Sequence, residues 1–281
     1  MKNPKIGFLG AGNMTKAIVS AMVNSKTVGQ SEIFLSDTND KKLKRVSEDL
    51  GVTSFATNEQ LIDFCGVVFL AVKPQDLFIC IEPIAMSFRP EQIVYSLAAG
   101  IPIDRLKKTL LTVQNLVRLM PNTAARIQRS VIGYCLMNPS QLVEDLTIKL
   151  LSPLGLLLPV NEGDQMEGLT VACSSGTGFV FELMKYWQDW LCDYGFDDET
   201  ARKMIVETFL GAAMLAQREP NFSLNELQEQ VVSKKGVTWA GLESFRENEL
   251  ERQLRIGFEK AVERERQLGN IDYSDAQKSR A

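Results

Sequence analysis

Residues 6–9 (Ile-Gly-Phe-Leu) form a short apolar run that breaks into Gly10-Ala11-Gly12, then into helical periodicity from about Asn13 to Asn24. This strand feeding a helix through two glycines constrains the fold more than any other feature of the chain. Gly10 can take a tight turn that other residues resist. Gly12 has no side chain, so a ligand can approach the backbone there. The free N–H groups of the helix starting at Asn13 point at the same place. Thr15 stands where the G-x-G-x-x-G pattern has its third small residue. A pair of glycines alone is weak evidence. Between a first strand and a first helix it marks a candidate site for a dinucleotide pyrophosphate.

The rest of the first half repeats the strand–helix alternation. Strands are expected at 32–36, 52–55, 67–72 and 93–98, with helices at 39–50, 58–64 and 75–86 between them. The run Val67–Val72, bounded by Lys73-Pro74, is apolar throughout, as a strand buried on both faces should be. Further strands are expected at 113–119, 131–136 and 156–160. Past about Glu162 helical periodicity takes over. Phe179, Leu183, Tyr186 and Trp190 share one stripe, which suits a core or a subunit interface. Asp197 or Asp198 can cap a helix to about Gln217. Ser223-Leu224-Asn225-Glu226 has capping-box spacing. A last helix at about 247–268 carries Leu250, Leu254, Phe258 and Ala261 on one face, followed by a frayed polar tail over 270–281. The pattern predicts an α/β fold: a Rossmann-type doubly wound sheet over residues 1–161, then an all-α domain over 162–281.

Composition narrows the chemistry. The chain of 281 residues has a net charge of −4, which gives no basic footprint for nucleic acid. No apolar run of about 18 residues is present to span a membrane. The N-terminus offers no secretory signal, and a cytoplasmic enzyme is expected. Five cysteines without a C-x-x-C pair read as buried free thiols of a reducing compartment. The chain has no histidine. Ser-His-Asp and Cys-His catalysis are therefore excluded, and no metal is expected. A reaction must run on hydroxyls, carboxylates, lysines, backbone amides or a bound cofactor.

The second strand ends in Ser36-Asp37-Thr38-Asn39. An acid roughly 20 residues past the glycines accepts hydrogen bonds from the adenosine ribose and repels a 2′-phosphate. Asp37 thus argues for NADH, whereas Ser36, Thr38, Asn39 and Lys41 argue for NADPH. A second reading of Asp37 is as the cap of the following helix.

Four segments then line up in order. Gly10-Ala11-Gly12-Asn13-Met14 matches G-A-G-x-M, and Ala71-Val72-Lys73-Pro74 matches A-V-K-P. Ser96-Leu97-Ala98-Ala99-Gly100 matches S-x-A-A-G. Arg118-Leu119-Met120-Pro121-Asn122-Thr123 matches R-x-M-P-N-T without a gap. In these the chain resembles the pyrroline-5-carboxylate reductases. The resemblance covers about residues 5–265, strongly to about 123 and more weakly beyond. Where the family has G-S-G-P-A-Y, this chain has Ser174-Ser175-Gly176-Thr177-Gly178-Phe179. Where it has T-S-P-G-G-T-T, the chain has Val232-Ser233-Lys234-Lys235-Gly236-Val237-Thr238.

The resemblance implies a cytoplasmic enzyme that transfers hydride from NADPH or NADH to the cyclic imine 1-pyrroline-5-carboxylate, giving L-proline. It implies that Gly10, Ala11, Gly12, Asn13 and Met14 hold the pyrophosphate. Ser36, Asp37 and Asn58 would serve the adenosine side. Ala71, Val72, Lys73, Pro74, Ala98, Ala99 and Gly100 would wall the nicotinamide, with Asn122 beside the cofactor. Ser175, Ser233, Gly236, Val237 and Thr238 would meet the substrate, its carboxylate on the 233–238 amides. The Thr238 hydroxyl would lie near the imine nitrogen as the catalytic group. A homodimer through the C-terminal helices, or a larger ring of dimers, is implied as well.

A protonated imine is already electrophilic, so orientation rather than a strong acid is what the enzyme must supply, which suits a chain without histidine. Alternatives stand beside several residues. Thr238 serves as a substrate contact or as the cap of the helix it enters. Lys73 is catalytic or structural. Lys234 and Lys235 are an exposed charged turn or an added attraction for an anionic substrate. The drift of the two substrate-side segments also fits a related reductase acting on another imine or ketone, or an inactive dinucleotide-binding sensor or scaffold.

Overall fold

The computed structural model describes residues 4–270. The described chain divides into two compact units. One is 4–177 together with 261–270, and the other is 178–260.

The first unit opens with β1 (Ile6–Leu9), α1 (Asn13–Asn24), β2 (Ile33–Ser36), α2 (Asp40–Leu50), β3 (Thr53–Ser54) and α3 (Asn58–Phe64). It continues with β4 (Val67–Leu70), α4 (Pro74–Ile81), β5 (Ile93–Ser96), α5 (Ile103–Thr109), β6 (Asn115–Met120) and β7 (Ser130–Leu136). Then come α6 (Gln141–Leu151), β8 (Gly155–Pro159) and α7 (Asp164–Leu169), and a π-helical segment Thr170–Ser175 leads into α8 (Gly176–Asp193). The eight strands form one sheet in the order β3-β2-β1-β4-β5-β6-β7-β8. All neighbours are parallel except β6 and β7, which pair antiparallel across the short 3-10 turn Thr123–Ile127. A connection that short cannot carry the crossover a parallel pair needs.

Strands β1, β2, β4 and β5 are buried at every residue, as continuous apolar runs between two helical layers require. Their side chains alternate between two cores. On one side Phe8, Phe69 and Tyr95 stack with centroids 4.5 and 4.6 Å apart. The buried Tyr95 hydroxyl shares a 2.9 Å hydrogen bond with Thr147 of α6, which keeps its polar end satisfied. On the other side Leu9, Val68, Leu70 and Val94 pack with Leu61 of α3 and Leu77 of α4.

The second unit holds most of α8, then α9 (Asp198–Arg218), α10 (Leu224–Gln230), α11 (Val237–Glu247) and the start of α12 (Leu250–Asn270). Asp197 caps α9, and Ser223 and Glu226 form the expected capping box. Phe179 meets Phe258 at 5.7 Å and Trp187 meets Phe209 at 5.1 Å between centroids. Within 178–260 only Ala201 and Ile205 are buried. Phe181, Tyr186, Trp190, Tyr194 and Phe222 stay exposed, so this unit presents far more apolar surface than a solvated monomer keeps.

Several expectations change in detail. The helix expected over 75–86 ends at Ile81, where Pro83 forces a 3-10 turn, and the helix expected from 247 starts at Leu250 because Glu249 is left-handed. Of the five cysteines only Cys65 is buried, and all are free thiols. The tail expected over 270–281 lies outside the described residues beyond Asn270.

Candidate active site

The glycine loop lies where β1 ends. Gly10 has φ +105°, and a Cβ there would come within 2.7 Å of the Ala71 carbonyl oxygen, so both the conformation and the fit to β4 demand glycine. A Cβ on Gly12 would meet nothing within 4 Å among the described residues. Open space thus lies in front of the backbone, at the N-terminus of α1. Gly12 is the N-cap of that helix and makes no side-chain cap, which leaves first-turn N–H groups for an anion. Thr15 fits the place of a third small residue because its buried hydroxyl turns inward and donates to the Gly10 carbonyl at 2.5 Å. It ties the loop down.

A cleft of about 580 Å³ opens beside this loop. It brings together Gly10, Gly12, Asp37, Asn58, Ala71, Val72 and Lys73, with Thr38, Lys42, Glu59, Asp76 and Cys80 around them. Ala11, Asn13 and Met14 complete the loop. The cleft lies at the carboxyl ends of β1, β2 and β4, where the strand order reverses direction, the place where open α/β sheets take their ligands. Ser36 is buried at the end of β2 and donates to the Asn58 side chain, whose Nδ2 donates to Cys80 Sγ at 3.4 Å. Burial pushes the Cys80 thiol up to about 11, so it remains a neutral thiol in the cleft. Lys73 is the N-cap of α4 with Pro74 at the first helical position, the structural half of the two readings offered for it.

Asp37 is not the cap of α2. That place belongs to Asn39, whose side chain accepts the Lys42 N–H at 2.9 Å. Asp37 instead accepts three hydrogen bonds: from Ala11 N at 2.8 Å, Lys42 Nζ at 2.6 Å and Asn39 N at 3.0 Å. Burial alone would raise its carboxyl, but these three donors outweigh it and hold the group below the usual aspartate range. The sequence reading missed Lys42, because the pairing depends on how the β2–α2 turn folds Asp37 back over the glycine loop.

The other expected residues fall elsewhere. Ala98, Ala99 and Gly100 follow β5, the strand next to β4. Asn122 caps the 3-10 turn through Ala124 N at 3.0 Å and donates to the Cys173 carbonyl at 3.0 Å. Ser174 donates to the Pro121 carbonyl at 2.8 Å, and Ser175 beside it is exposed. The M-P-N-T loop thereby grips the π-helical segment, a wider turn of the kind that recurs at functional sites.

Ser233–Thr238 belongs to the second unit. The Gly236 N–H donates to the Ser233 carbonyl at 2.9 Å, closing a turn with Lys235 at φ 56°. Gly236, not Thr238, is the N-cap of α11. With no side chain to cap the helix, it leaves the first-turn amides uncapped by a side chain. The exposed Thr238 lies in that turn, so its hydroxyl is not spent on the cap, one of the two readings offered for it.

The sheet, the glycine loop and the cleft define an oxidoreductase that uses NAD(P)H. Residues 163–268 match the family model for pyrroline-5-carboxylate reductase dimerisation, and residues 5–100 that for NADP oxidoreductase coenzyme F420-dependent. The chain is 31% identical over 274 residues to the pyrroline-5-carboxylate reductase of Vibrio alginolyticus, covering 96% of this chain and 100% of that one. It is 30% identical over 277 residues to that of Pseudomonas aeruginosa, with 96% and 100% covered. The chain belongs to the pyrroline-5-carboxylate reductase family. Among solved structures, a pyrroline-5-carboxylate reductase from Coxiella burnetii superimposes with a TM-score of 0.84 at 27% identity, over 95% of this chain and 99% of that one. The fold also matches a pyrroline carboxylate reductase of Plasmodium falciparum with NADP bound, TM-score 0.84 at 21% identity, over 96% and 100%.

Proposed function

We propose that this enzyme reduces 1-pyrroline-5-carboxylate to L-proline at the expense of NAD(P)H. The observation that carries the reading is the 31% identity, over nearly the full length of both chains, to a reductase of that name, joined to a cleft that suits the cofactor. The nicotinamide, when bound, supplies the hydride. The chain supplies the rest. The glycine loop and the first turn of α1 hold the pyrophosphate, and Asp37 with Asn58 faces the adenosine side. Ala71–Pro74 and Ala98–Gly100 wall the ring, with Asn122 beside the cofactor.

On the substrate side, Gly236 shapes the turn, its own N–H held by the Ser233 carbonyl, and the first-turn amides of α11 from Val237, together with Ser233, receive the carboxylate. An uncapped helix N-terminus favours an anion by both its N–H groups and its dipole. Thr238 holds a proton near the imine nitrogen, and Ser175 lines the same substrate. Fixing the imine by its carboxylate turns the reaction into one between held partners, worth several kcal/mol of barrier.

The functional division is into a dinucleotide-binding part, 1–161, and a substrate and dimerisation part, 162–281. The dimerisation match starting at 163 supports it. The exposed aromatic residues of 178–260 support a homodimer through the C-terminal helices; a larger ring of such dimers is the alternative assembly. No described helix is long and apolar enough to cross a membrane. The proposal places the enzyme in the cytoplasm, with no nucleic acid among its partners.

The test is oxidation of NADH and of NADPH, each at neutral pH with 1-pyrroline-5-carboxylate. Turnover with either supports the reading. Cofactor binding without turnover overturns it. Lys234 and Lys235, both exposed on the substrate turn, favour one second reading, a sister imine carrying an additional negative charge. Faster turnover of a dicarboxylate imine than of the monocarboxylate would select it.

A further inference from the structure

Arg118 stands on β6 opposite Ser96 of β5, and its side chain is buried. Its Nη1 donates to Glu162 Oε2 at 2.7 Å and its Nη2 to Glu265 Oε1 at 2.8 Å. The other oxygen of Glu162 accepts the N–H of Ile103, the first residue of α5, at 3.1 Å. Glu265 lies in the last turns of α12 and is buried too. The Thr170 hydroxyl and the Gly100 N–H also approach the Glu265 carboxylate, while the Arg118 Nε finds no hydrogen-bond partner among the described residues.

Such a cluster is a poor way to gain stability. Taking the Arg118 guanidinium and the Glu265 carboxylate out of water, with Glu162 half-buried beside them, costs several kcal/mol per buried ion, and apolar side chains of the same volume often serve the fold as well or better. What a buried ion pair gives instead is one fixed geometry, and here the fixed parts meet at one turn. Gly100, just past β5, has φ +75°, and a Cβ there would come within 2.6 Å of the Glu265 carbonyl oxygen and 3.0 Å of Leu268 Cβ. The backbone of α12 therefore lies directly on the turn. Arg105 of α5 donates to the Gly269 carbonyl, and Arg266 reaches Glu167 at 2.6 Å. Arg118 thus ties the end of α12, the β8–α7 loop and the start of α5 around Leu97–Gly100.

We infer that Arg118 and Glu265 are positioning residues for hydride transfer: by docking the end of α12 on Gly100 they set the turn that walls the nicotinamide. This rests on the assignment of Ala98–Gly100 to that wall. Neither residue touches the substrate. Their effect should therefore fall on the geometry of the reacting ring and not on the affinity for either ligand.

The experiment uses the full-length enzyme and the variants Glu265→Gln, Arg118→Lys and Arg118→Met. Lys203→Ala, which breaks an exposed ion pair with Glu199, is the control. Glu265→Gln should lower kcat at least tenfold while both KM values stay within threefold. It should also change the fluorescence of bound NADPH. Arg118→Lys should recover part of kcat relative to Arg118→Met, and Lys203→Ala should match the parent. If Arg118→Met does not fold, the Gln and Lys variants still decide. A folded Glu265→Gln enzyme with parental kcat and parental nicotinamide fluorescence would reduce the cluster to a fold tie and overturn the inference. Should the parent fail to turn over 1-pyrroline-5-carboxylate, the functional reading falls, and the fluorescence of bound NADPH alone judges the positioning role.

Discussion

The carboxylate of Asp37 accepts the backbone N–H of Ala11 at 2.8 Å, so the acid at the end of β2 is fastened to the glycine loop itself. Lys42 holds the same oxygen at 2.6 Å. A carboxylate fixed there suits the two ribose hydroxyls of NADH and repels a 2′-phosphate, while Lys42 softens the repulsion. Asp37→Ser should therefore move the ratio of kcat/KM for NADPH over NADH upward by about tenfold, equivalent to about 1.4 kcal/mol. Equal losses with both cofactors would leave Asp37 as a loop tie without a part in selection.

The same contacts make acid stability depend on Asp37. Its carboxyl lies below the ordinary value: burial opposes the shift, and the bonds from Lys42, Ala11 and Asn39 overcome it. The folded state holds this proton less tightly than the unfolded chain. The resulting stability is present above the ordinary aspartate pKa of about 4 and drains away as pH falls through the lower folded value. Asp37→Asn should thus lower Tm at pH 7, and the deficit should shrink as the medium is taken below about pH 4. Melting curves recorded across that range check this. A deficit that stays constant with pH would mean the charge contributes nothing.

The bond from Thr15 to the Gly10 carbonyl explains how the loop tolerates a branched residue in place of a small one. Thr15→Val keeps the shape and deletes the donor, leaving a buried carbonyl short of its partner at a cost of about 1–3 kcal/mol. Tm should fall and cofactor affinity with it, while Thr15→Ser should stay close to the parent. A valine variant that binds cofactor as the parent does would show the bond to be dispensable.

The legible parts of the chain were those in which the local pattern decides the structure. The apolar strands, the glycine loop, the Asp197 cap and the Ser223–Glu226 box all follow from neighbours in sequence. What escaped were relations between distant residues. Lys42 reaches Asp37 only through the fold of the β2–α2 turn, and Arg118 meets Glu265 across 147 positions. Thr170–Ser175 has no local signature for a π-helix; its shape goes with the grip of Asn122 and Ser174. Helix α5 went unread because seven residues behind Pro102 carry too little periodicity to count, and α6 went unread although Ser140 caps it locally.

Thr238 lies in the first turn of α11 with its hydroxyl free of the capping duty that Gly236 occupies. Thr238→Ala should cut kcat/KM for the imine by about tenfold or more, the loss expected of one hydrogen bond to a charged group. The dissociation constant of NAD(P)H should hardly move. Unaltered kcat/KM would take Thr238 out of the site.

Lys235 is held at φ 56°, a left-handed conformation that costs a side chain bearing a Cβ about 1 kcal/mol and costs glycine nothing. The turn it sits in brings Gly236 N to the Ser233 carbonyl at 2.9 Å, so the strain is the condition for the shape of the 233–238 turn. Lys235→Gly and Lys235→Ala both delete the charge, and only glycine relieves the backbone. The glycine variant should be more stable than the alanine variant by about 1 kcal/mol, less a few tenths for the greater freedom of its unfolded chain. If the lysine charge draws the substrate in, both variants should raise the imine KM alike, and added salt should raise it in the parent. A KM that rises for alanine alone would instead assign the whole effect to the turn's geometry and none to its charge.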